Sequence, residues 1–288
     1  MSTIRYEAPQ SVEQAVQLID ADPRAKILAG GTDLLIQFRA GVADPTAFVD
    51  VKRIPGLIGI SVDSRRLRLG AATPAAEICE SAEVRRWWPG LVDAVHLIGS
   101  TQIQGRGTVG GNLCNASPAA DSVCALIVDQ ATCIVAGPAG ERTLPVEEFC
   151  TGPGGTALKR GELLIALDIP RPALRTSDAY LRLIPRTEMD IAVVGAGVSV
   201  TFDAGGVCTA ARVAIGAVAP TARLVPDAAR ALIGTTIDEA ALQRAGEAAS
   251  AAARPIDDKR GTVAYRVAVA GVLVRRAAAI AADRARKS

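Results

Sequence analysis

The sequence predicts an α+β fold built from more than one packed unit, and three observations carry that expectation. Strand-like and helix-like segments arrive in blocks rather than in the regular alternation that builds a parallel sheet. Two glycine pairs, Gly30 with Gly31 and Gly110 with Gly111, each follow an apolar run and are trailed by small polar residues. The chain has 288 residues, 49% of them hydrophobic, enough for two or three packed units.

The elements follow in order. In "SVEQAVQLIDAD" Ser11 and Gln14 form a capping box, and Val12, Ala15, Val16 and Ile19 share one helical face. "AKILAGG" reads as a short strand running into the first glycine pair, and "AFVDVKRI" as a second strand before "PGL". Together they form a small α/β unit over residues 1–55. "IGISVDSRRLRLGAATPAAEI" alternates and turns like a hairpin, "AEVRRWWPGLVDAVHLIGS" has helical spacing, and "GTVGGNLCNASPAADSVCALIVDQ" is read as a turn region leading onward. The strands "ATCIVAG", "RTLPVEEF" and "ELLIALDIP" then lead to Pro170 and Pro172, which cannot extend a central ladder, so a second unit covers residues 56–172. Residues 173–288 form a third unit, with strands in "AYLRLIPRTEMDIAVVGAGVSVTFD" and "ARVAIGAVAP" ahead of two helical stretches. One of these opens on a capping box at Thr236 and Glu239, and the other carries Tyr265 and Arg266.

Composition narrows the function. The 32 basic and 30 acidic residues leave a net charge of +2 with no run of like charges, which disfavours nucleic acid as a partner. "MSTIRYEAPQSVEQ" lacks a basic cluster followed by an apolar core, so a cytoplasmic location is expected. The late apolar stretch is interrupted by Arg266, Arg275 and Arg276 and reads as a packed helix, not a membrane span. The six cysteines lack the close spacing of a zinc or iron–sulfur site, so no metal is expected in this chain. They read as small buried hydrophobes, with Cys114 kept open. One histidine, His96, rules out catalysis by a histidine cluster and reads as a packing or surface residue. No catalytic residue is expected.

The glycine pairs carry the chemistry. Glycines let successive backbone N–H groups converge on an anion, and Thr and Asn add donors. In "GRGTVGGNLCNASPAADS" the residues Thr108, Gly110, Gly111, Asn112, Asn115, Ser117 and Asp121 crowd into one region, and two such loops facing each other could hold a pyrophosphate without Lys or Arg. Neither loop fits G-x-G-x-x-G, and no G-x-x-x-x-G-K-[ST] occurs, which disfavours the Rossmann and P-loop folds. An isolated glycine pair is more often a tight turn; two pairs in matching contexts favour a cradle.

"LAGGTDLLIQFRAG", "RGTVGGNLCNASPAADS", "FCTGPGGTALKRGELLIALDIP", "RTEMDIAVVGAGVSV" and "AYRVAVAGVLVRRA", in that order over nearly the whole chain, resemble the FAD-binding medium subunit of the molybdenum hydroxylases. That family includes the medium subunit of carbon monoxide dehydrogenase and the flavin domain of xanthine dehydrogenase. The resemblance implies a two-part FAD-binding domain of the vanillyl-alcohol-oxidase type, followed by a C-terminal α+β domain of the CO dehydrogenase flavoprotein type. It implies that Ala29, Gly30, Gly31, Thr32 and Asp33 lie against the FAD pyrophosphate, the glycines having no Cβ to obstruct the main-chain donors. It also implies that Thr108, Gly110, Gly111, Asn112 and Asn115 contact the pyrophosphate and ribityl region. Asp121 would accept from a flavin hydroxyl, cap the helix of "SVCALIVDQ", or both. Leu164 falls where the family packs an apolar side chain near the isoalloxazine, and reads equally as a strand core residue. Arg182 stands where many relatives carry Lys near the flavin ring; its alternative is a solvated surface arginine.

In the family, substrate is oxidised at a molybdopterin centre in a large subunit, electrons cross two [2Fe-2S] clusters in a small subunit, and the flavin passes them to an external acceptor. The resemblance therefore implies a heterotrimer, paired into a dimer of heterotrimers. The spacing of the cysteines argues against the [4Fe-4S]-bearing insertion of some relatives. Two rivals stand beside this reading: a stand-alone FAD-dependent reductase on the same fold, and a non-catalytic nucleotide-binding assembly module whose glycine loops are only turns.

Overall fold

A computed structural model describes residues 4–288, so the first three residues of the stretch read for a secretion leader lie outside the described residues. The N-terminal unit comprises β1 (Arg5–Glu7), α1 (Val12–Ala21), β2 (Lys26–Leu28), α2 (Leu34–Arg39) and β3 (Ala47–Asp50), with the strands parallel in the order β1-β3-β2. Ser11 caps α1 by accepting from the Gln14 N–H at 3.3 Å. The Gln14 side chain closes the box one residue early, on the Gln10 N–H at 2.8 Å. Ala15, Val16 and Ile19 are buried, as the helical spacing predicts.

Next come β4 (Ile60–Val62), β5 (Arg66–Gly70), α3 (Ala75–Glu80), α4 (Ala82–Trp87), α5 (Pro89–His96), α6 (Thr101–Gln104), α7 (Val109–Cys114) and α8 (Asp121–Val128). They are followed by β6 (Thr132–Gly137), β7 (Gly140–Pro145), β8 (Cys150–Gly152), β9 (Gly155–Thr156) and β10 (Leu163–Pro170). An antiparallel sheet runs β4-β5-β10-β6-β7. Its central strand β10 is buried on both faces: Leu164, Leu167 and Ile169 join the core under the helices, and Leu163, Ile165 and Ala166 the core shared with α1 and β3. The register against β6 shifts between Leu164 and Ala166, which puts the neighbours Ile165 and Ala166 on the same face.

The last unit holds β11 (Thr176–Leu183), β12 (Val194–Phe202), β13 (Cys208–Gly216), β14 (Arg223–Leu224), α9 (Pro226–Leu232), α10 (Glu239–Ala252) and α11 (Val263–Lys287). An antiparallel sheet runs β11-β12-β13-β14, and α10, α11 and one face of the sheet enclose a third core rich in alanine. The other face meets α8 closely: a Cβ on Gly197 would lie 2.9 Å from the Cys124 carbonyl oxygen, and one on Gly216 2.9 Å from its Sγ. The late apolar stretch is α11, with Arg266 buried, and among the described residues no helix is long and apolar enough to cross a membrane.

Three readings need correction. The region around Gly110 and Gly111 is not wholly turn but contains α7. α9 precedes the two expected helical stretches. The cap of α10 is Asp238, whose Oδ1 accepts from the Ala241 N–H at 2.8 Å, and not Thr236. Ile237 between them has φ +54°, a left-handed kink that sets Thr236 outside the helix.

Candidate functional site: a cleft between two glycine loops

The first glycine loop leaves the end of β2 and the second leads into α7, and the two touch. A Cβ on Gly30 would lie 1.9 Å from the Arg106 carbonyl oxygen, so Gly30 is side-chain-free because the loops abut. This adds a reason beyond closeness to a ligand. Gly31 has φ +77°, where a Cβ is strained. Gly110 lies against the chain just past β5, where a Cβ would stand 2.3 Å from the Ala71 carbonyl oxygen. Thr108 caps α7, its Oγ1 accepting from the Gly111 N–H at 2.9 Å.

Between the loops lies a cleft of about 720 Å³, lined by Ala29, Gly30, Gly31, Thr32, Asp33, Thr108, Gly110, Gly111, Asn112, Asn115 and Leu164. The backbone N–H groups of Gly30, Gly31, Thr32 and Asp33 find no acceptor among the described residues, nor do those of Thr108 and Gly110. Buried or half-buried donors without partners are costly, so a run of them beside a cleft is a cradle for an acceptor-rich anion. The lining side chains do not supply that charge: among the described residues Lys26 is the only cation there, against Asp33, Asp44 and Glu162. Burial pushes the Asp33 carboxyl above its ordinary range. Gln37 bridges the loops by donating to Asn115 Oδ1 at 2.9 Å, and Asn112 Oδ1 accepts from the Ser122 hydroxyl at 2.7 Å.

Asp121 and Arg182 do not line the cleft. Asp121 Oδ1 accepts from the Tyr180 hydroxyl at 2.8 Å and Oδ2 from Arg182 Nη1 at 2.7 Å, which ties α8 to β11. Burial pushes the Asp121 carboxyl up to about 6 despite Arg182 and Tyr180. The helix cap is Ala120, so the capping role read for Asp121 is not found; Arg182, its side chain 5% exposed, is not a surface residue. Cys114 also lines the cleft, and burial pushes its thiol up to about 12, so it is a neutral group there. His96 is exposed at the end of α5.

Sequence reasoning missed Gln37, Gly154 and Leu158 on the cleft wall. All three fall inside the stretches that carry the resemblance, so the signal was present without the contact. It also missed Lys52, whose Nζ donates to the Ala29 carbonyl at 3.0 Å from behind the first loop.

Residues 2–172 match the family of the FAD binding domain in molybdopterin dehydrogenase, and residues 179–281 match the CO dehydrogenase flavoprotein C-terminal domain. The chain belongs to this flavoprotein family. It is similar to the carbon monoxide dehydrogenase medium chain of Hydrogenophaga pseudoflava, 35% identical over 273 residues and 94% of each chain. A second relative is the xanthine dehydrogenase FAD-binding subunit of Escherichia coli O157:H7, 33% identical over 75% of this chain and 74% of the relative. Among solved structures, reconstituted CO dehydrogenase from Oligotropha carboxidovorans superposes with a TM-score of 0.94 at 33% identity, covering 98% of each chain. Residues 2–172 therefore form the FAD-binding domain of an oxidoreductase subunit, and FAD is its cofactor. The cleft fits it: the unpaired donors offer what a diphosphate accepts, and the volume lies in the range of cofactor sites.

Proposed function

We propose that this chain is the electron-transferring medium subunit of a heterotrimeric molybdenum hydroxylase. It takes electrons from the [2Fe-2S] clusters of a small partner subunit, which receive them from a molybdopterin centre in a large one, and delivers them to an external acceptor. Two such heterotrimers pair. The observation that carries the reading is the convergence of two glycine loops, far apart in sequence, whose unpaired N–H groups line one cleft.

Bound FAD supplies the ability to take electrons singly and release them in pairs. The chain's own residues hold and orient it. The N–H groups of residues 30–33, 108 and 110 receive the diphosphate, the side chains of Thr32, Asn112 and Asn115 add donors, and Leu164 offers an apolar wall. The diphosphate charge then rests on backbone dipoles, a preorganised arrangement that needs no side-chain reordering. Asp121 and Arg182 support the cleft from behind by joining α8 to β11.

Co-expression with small and large partner subunits from the same source tests the reading. The expected product is a yellow-brown complex in which this chain carries one FAD, with iron and molybdenum in its partners. A chain that purifies alone and turns over NADPH would be the stand-alone reductase. A colourless chain that takes up no FAD would be the assembly module.

A further inference from the structure

We propose that Lys52 is a positioning residue of the flavin site: its ammonium holds the Ala29 carbonyl behind the first glycine loop and thereby turns the Gly30 N–H toward the cleft. The inference rests on the reading of that cleft as the FAD diphosphate cradle.

Three strands of the N-terminal sheet converge on this ammonium. Lys52 follows β3 in a short 3-10 turn, Val51–Arg53, capped by Asp50, whose Oδ1 accepts from the Lys52 N–H at 3.0 Å. The same Oδ1 accepts from Lys52 Nζ at 2.7 Å, while Oδ2 accepts from the hydroxyl of Tyr6 on β1 at 2.5 Å. Nζ then donates to the carbonyl of Ala29, just past β2, at 3.0 Å. The Asp50 side chain is only 10% exposed and that of Lys52 27%, so the pair is sheltered beneath the loop. Burial works against the charged form of Asp50, and the bonds from Lys52 and Tyr6 outweigh it, holding the carboxyl below its usual range.

The consequence follows from the planarity of the peptide. In a trans peptide the C=O and the next N–H point in opposite directions, and among the described residues there is no cis bond. With the Ala29 oxygen drawn to Lys52, the Gly30 N–H faces away from it, and that N–H finds no acceptor among the described residues. Gly30 has no side chain to resist rotation of this peptide, so the bond from Lys52 to the Ala29 oxygen fixes the direction of its donor. A charged donor on the carbonyl also polarises the amide and strengthens the N–H on its far side. Lys52 does not line the cleft, so it acts through Ala29 and not by touching the ligand.

The test uses the assembled complex, comparing the wild type with Lys52→Met, Lys52→Arg and Asp50→Asn. FAD affinity is measured by the fluorescence of flavin released on dilution, and the bound diphosphate by its phosphorus NMR shift. Lys52→Met is expected to weaken FAD binding about ten- to a hundredfold, as for loss of a charged hydrogen bond, and to move the diphosphate resonance. Lys52→Arg, which keeps the charge and two donors, should recover most of the affinity, and Asp50→Asn, which releases the ammonium from its anchor, should lose several-fold. A merely structural role would lower the melting temperature of the apoprotein equally in Met and Arg variants and leave the phosphorus shift of whatever FAD remains unmoved. Unchanged affinity and unchanged shift in Lys52→Met and Asp50→Asn would overturn the inference while leaving the cradle intact. Absence of FAD from the wild-type complex would instead sink the cradle itself. Should Lys52→Met fail to assemble, the affinities of Asp50→Asn and Lys52→Arg decide.

Discussion

At the scale of single residues the two glycines of the first loop have different jobs, and their alanine variants should separate them. At Gly30 the added Cβ would stand 1.9 Å from a backbone oxygen, that of Arg106, which cannot yield without parting the two loops. At Gly31 the nearest atoms are the side-chain ends of Leu28 and Leu35, at 3.0 and 3.2 Å, which can turn aside, leaving mainly the strain of φ +77°, about 1 kcal/mol. Gly30→Ala is therefore expected to cost about 2–3 kcal/mol of stability and to purify with most of its flavin missing. Gly31→Ala should lose about 1 kcal/mol and keep much of its FAD. Thermal melts and flavin-to-protein ratios check both, and equal flavin loss in the two would contradict the loop-to-loop explanation. The positions of these glycines were legible because a glycine pair after a strand is a local signal. Their partners were not: Arg106 lies far along the chain, and nothing in "LAGGTD" says that a carbonyl comes to rest on Gly30. The same holds for Asp121 and Arg182, whose polar character was evident but whose mutual pairing and common neighbour Tyr180 arise only when β11 is laid against α8.

At the scale of elements, local capping chemistry was the most readable part of the fold, and it failed where backbone geometry intervened. Ser11 caps α1 as its motif predicts, whereas the equally well-formed motif at Thr236 is undone by the kink at Ile237, and Asp238 takes the helix instead. α7 escaped notice because its own glycines argue against a helix; the Thr108 cap and close packing on Ala71 hold it. Packing likewise overrides propensity in the pair α10 and α11. A Cβ on Gly271 would lie 2.6 Å from the Gly246 carbonyl oxygen and 2.5 Å from Ser250 Oγ, and one on Gly246 would lie 2.8 Å from the Gly271 carbonyl oxygen. Helix propensity alone predicts that Gly271→Ala stabilises α11 by up to about 1 kcal/mol. Forcing the helices apart costs about 1–3 kcal/mol, and the backbone oxygen has nowhere to move. The expected net outcome is a less stable protein, measured as a lower denaturation midpoint, and a stabilised Gly271→Ala variant would show that the two helices can slide apart freely.

At the scale of the whole molecule, the C-terminal sheet is joined to the flavin domain through buried acids, which makes the junction sensitive to pH. Asp129 at the end of α8 and Asp178 on β11 are neighbouring buried acids, and Asp129 Oδ2 and Asp178 Oδ1 have no hydrogen-bond partner among the described residues. A proton held between the two carboxyls would satisfy both of these oxygens. Burial, reinforced on Asp129 by Asp178, pushes Asp129 well above its ordinary range, and burial pushes Asp178 up to about 6. Around them stand Arg212, which donates to the Ile127 carbonyl and to Glu147, and Arg284, which binds Asp93 and the Asp178 carbonyl. The Leu91 N–H donates to Asp178 Oδ2 at 3.1 Å. Because these carboxyls bind protons more tightly folded than unfolded, they favour the folded state most below the unfolded value of 3.8, and the contribution of Asp178 is lost as pH rises through about 6. For a shift of this size the loss is about 2–3 kcal/mol. Asn at position 129 can donate to Asp178 without a proton to lose, so Asp129→Asn should flatten the pH dependence and gain about 2 kcal/mol at pH 8 relative to the wild type. Urea midpoints at pH 5 and pH 8 decide the matter. If wild type and variant lose stability in parallel across that window, the pair does not share a proton, and the two arginines alone carry the charge at the junction.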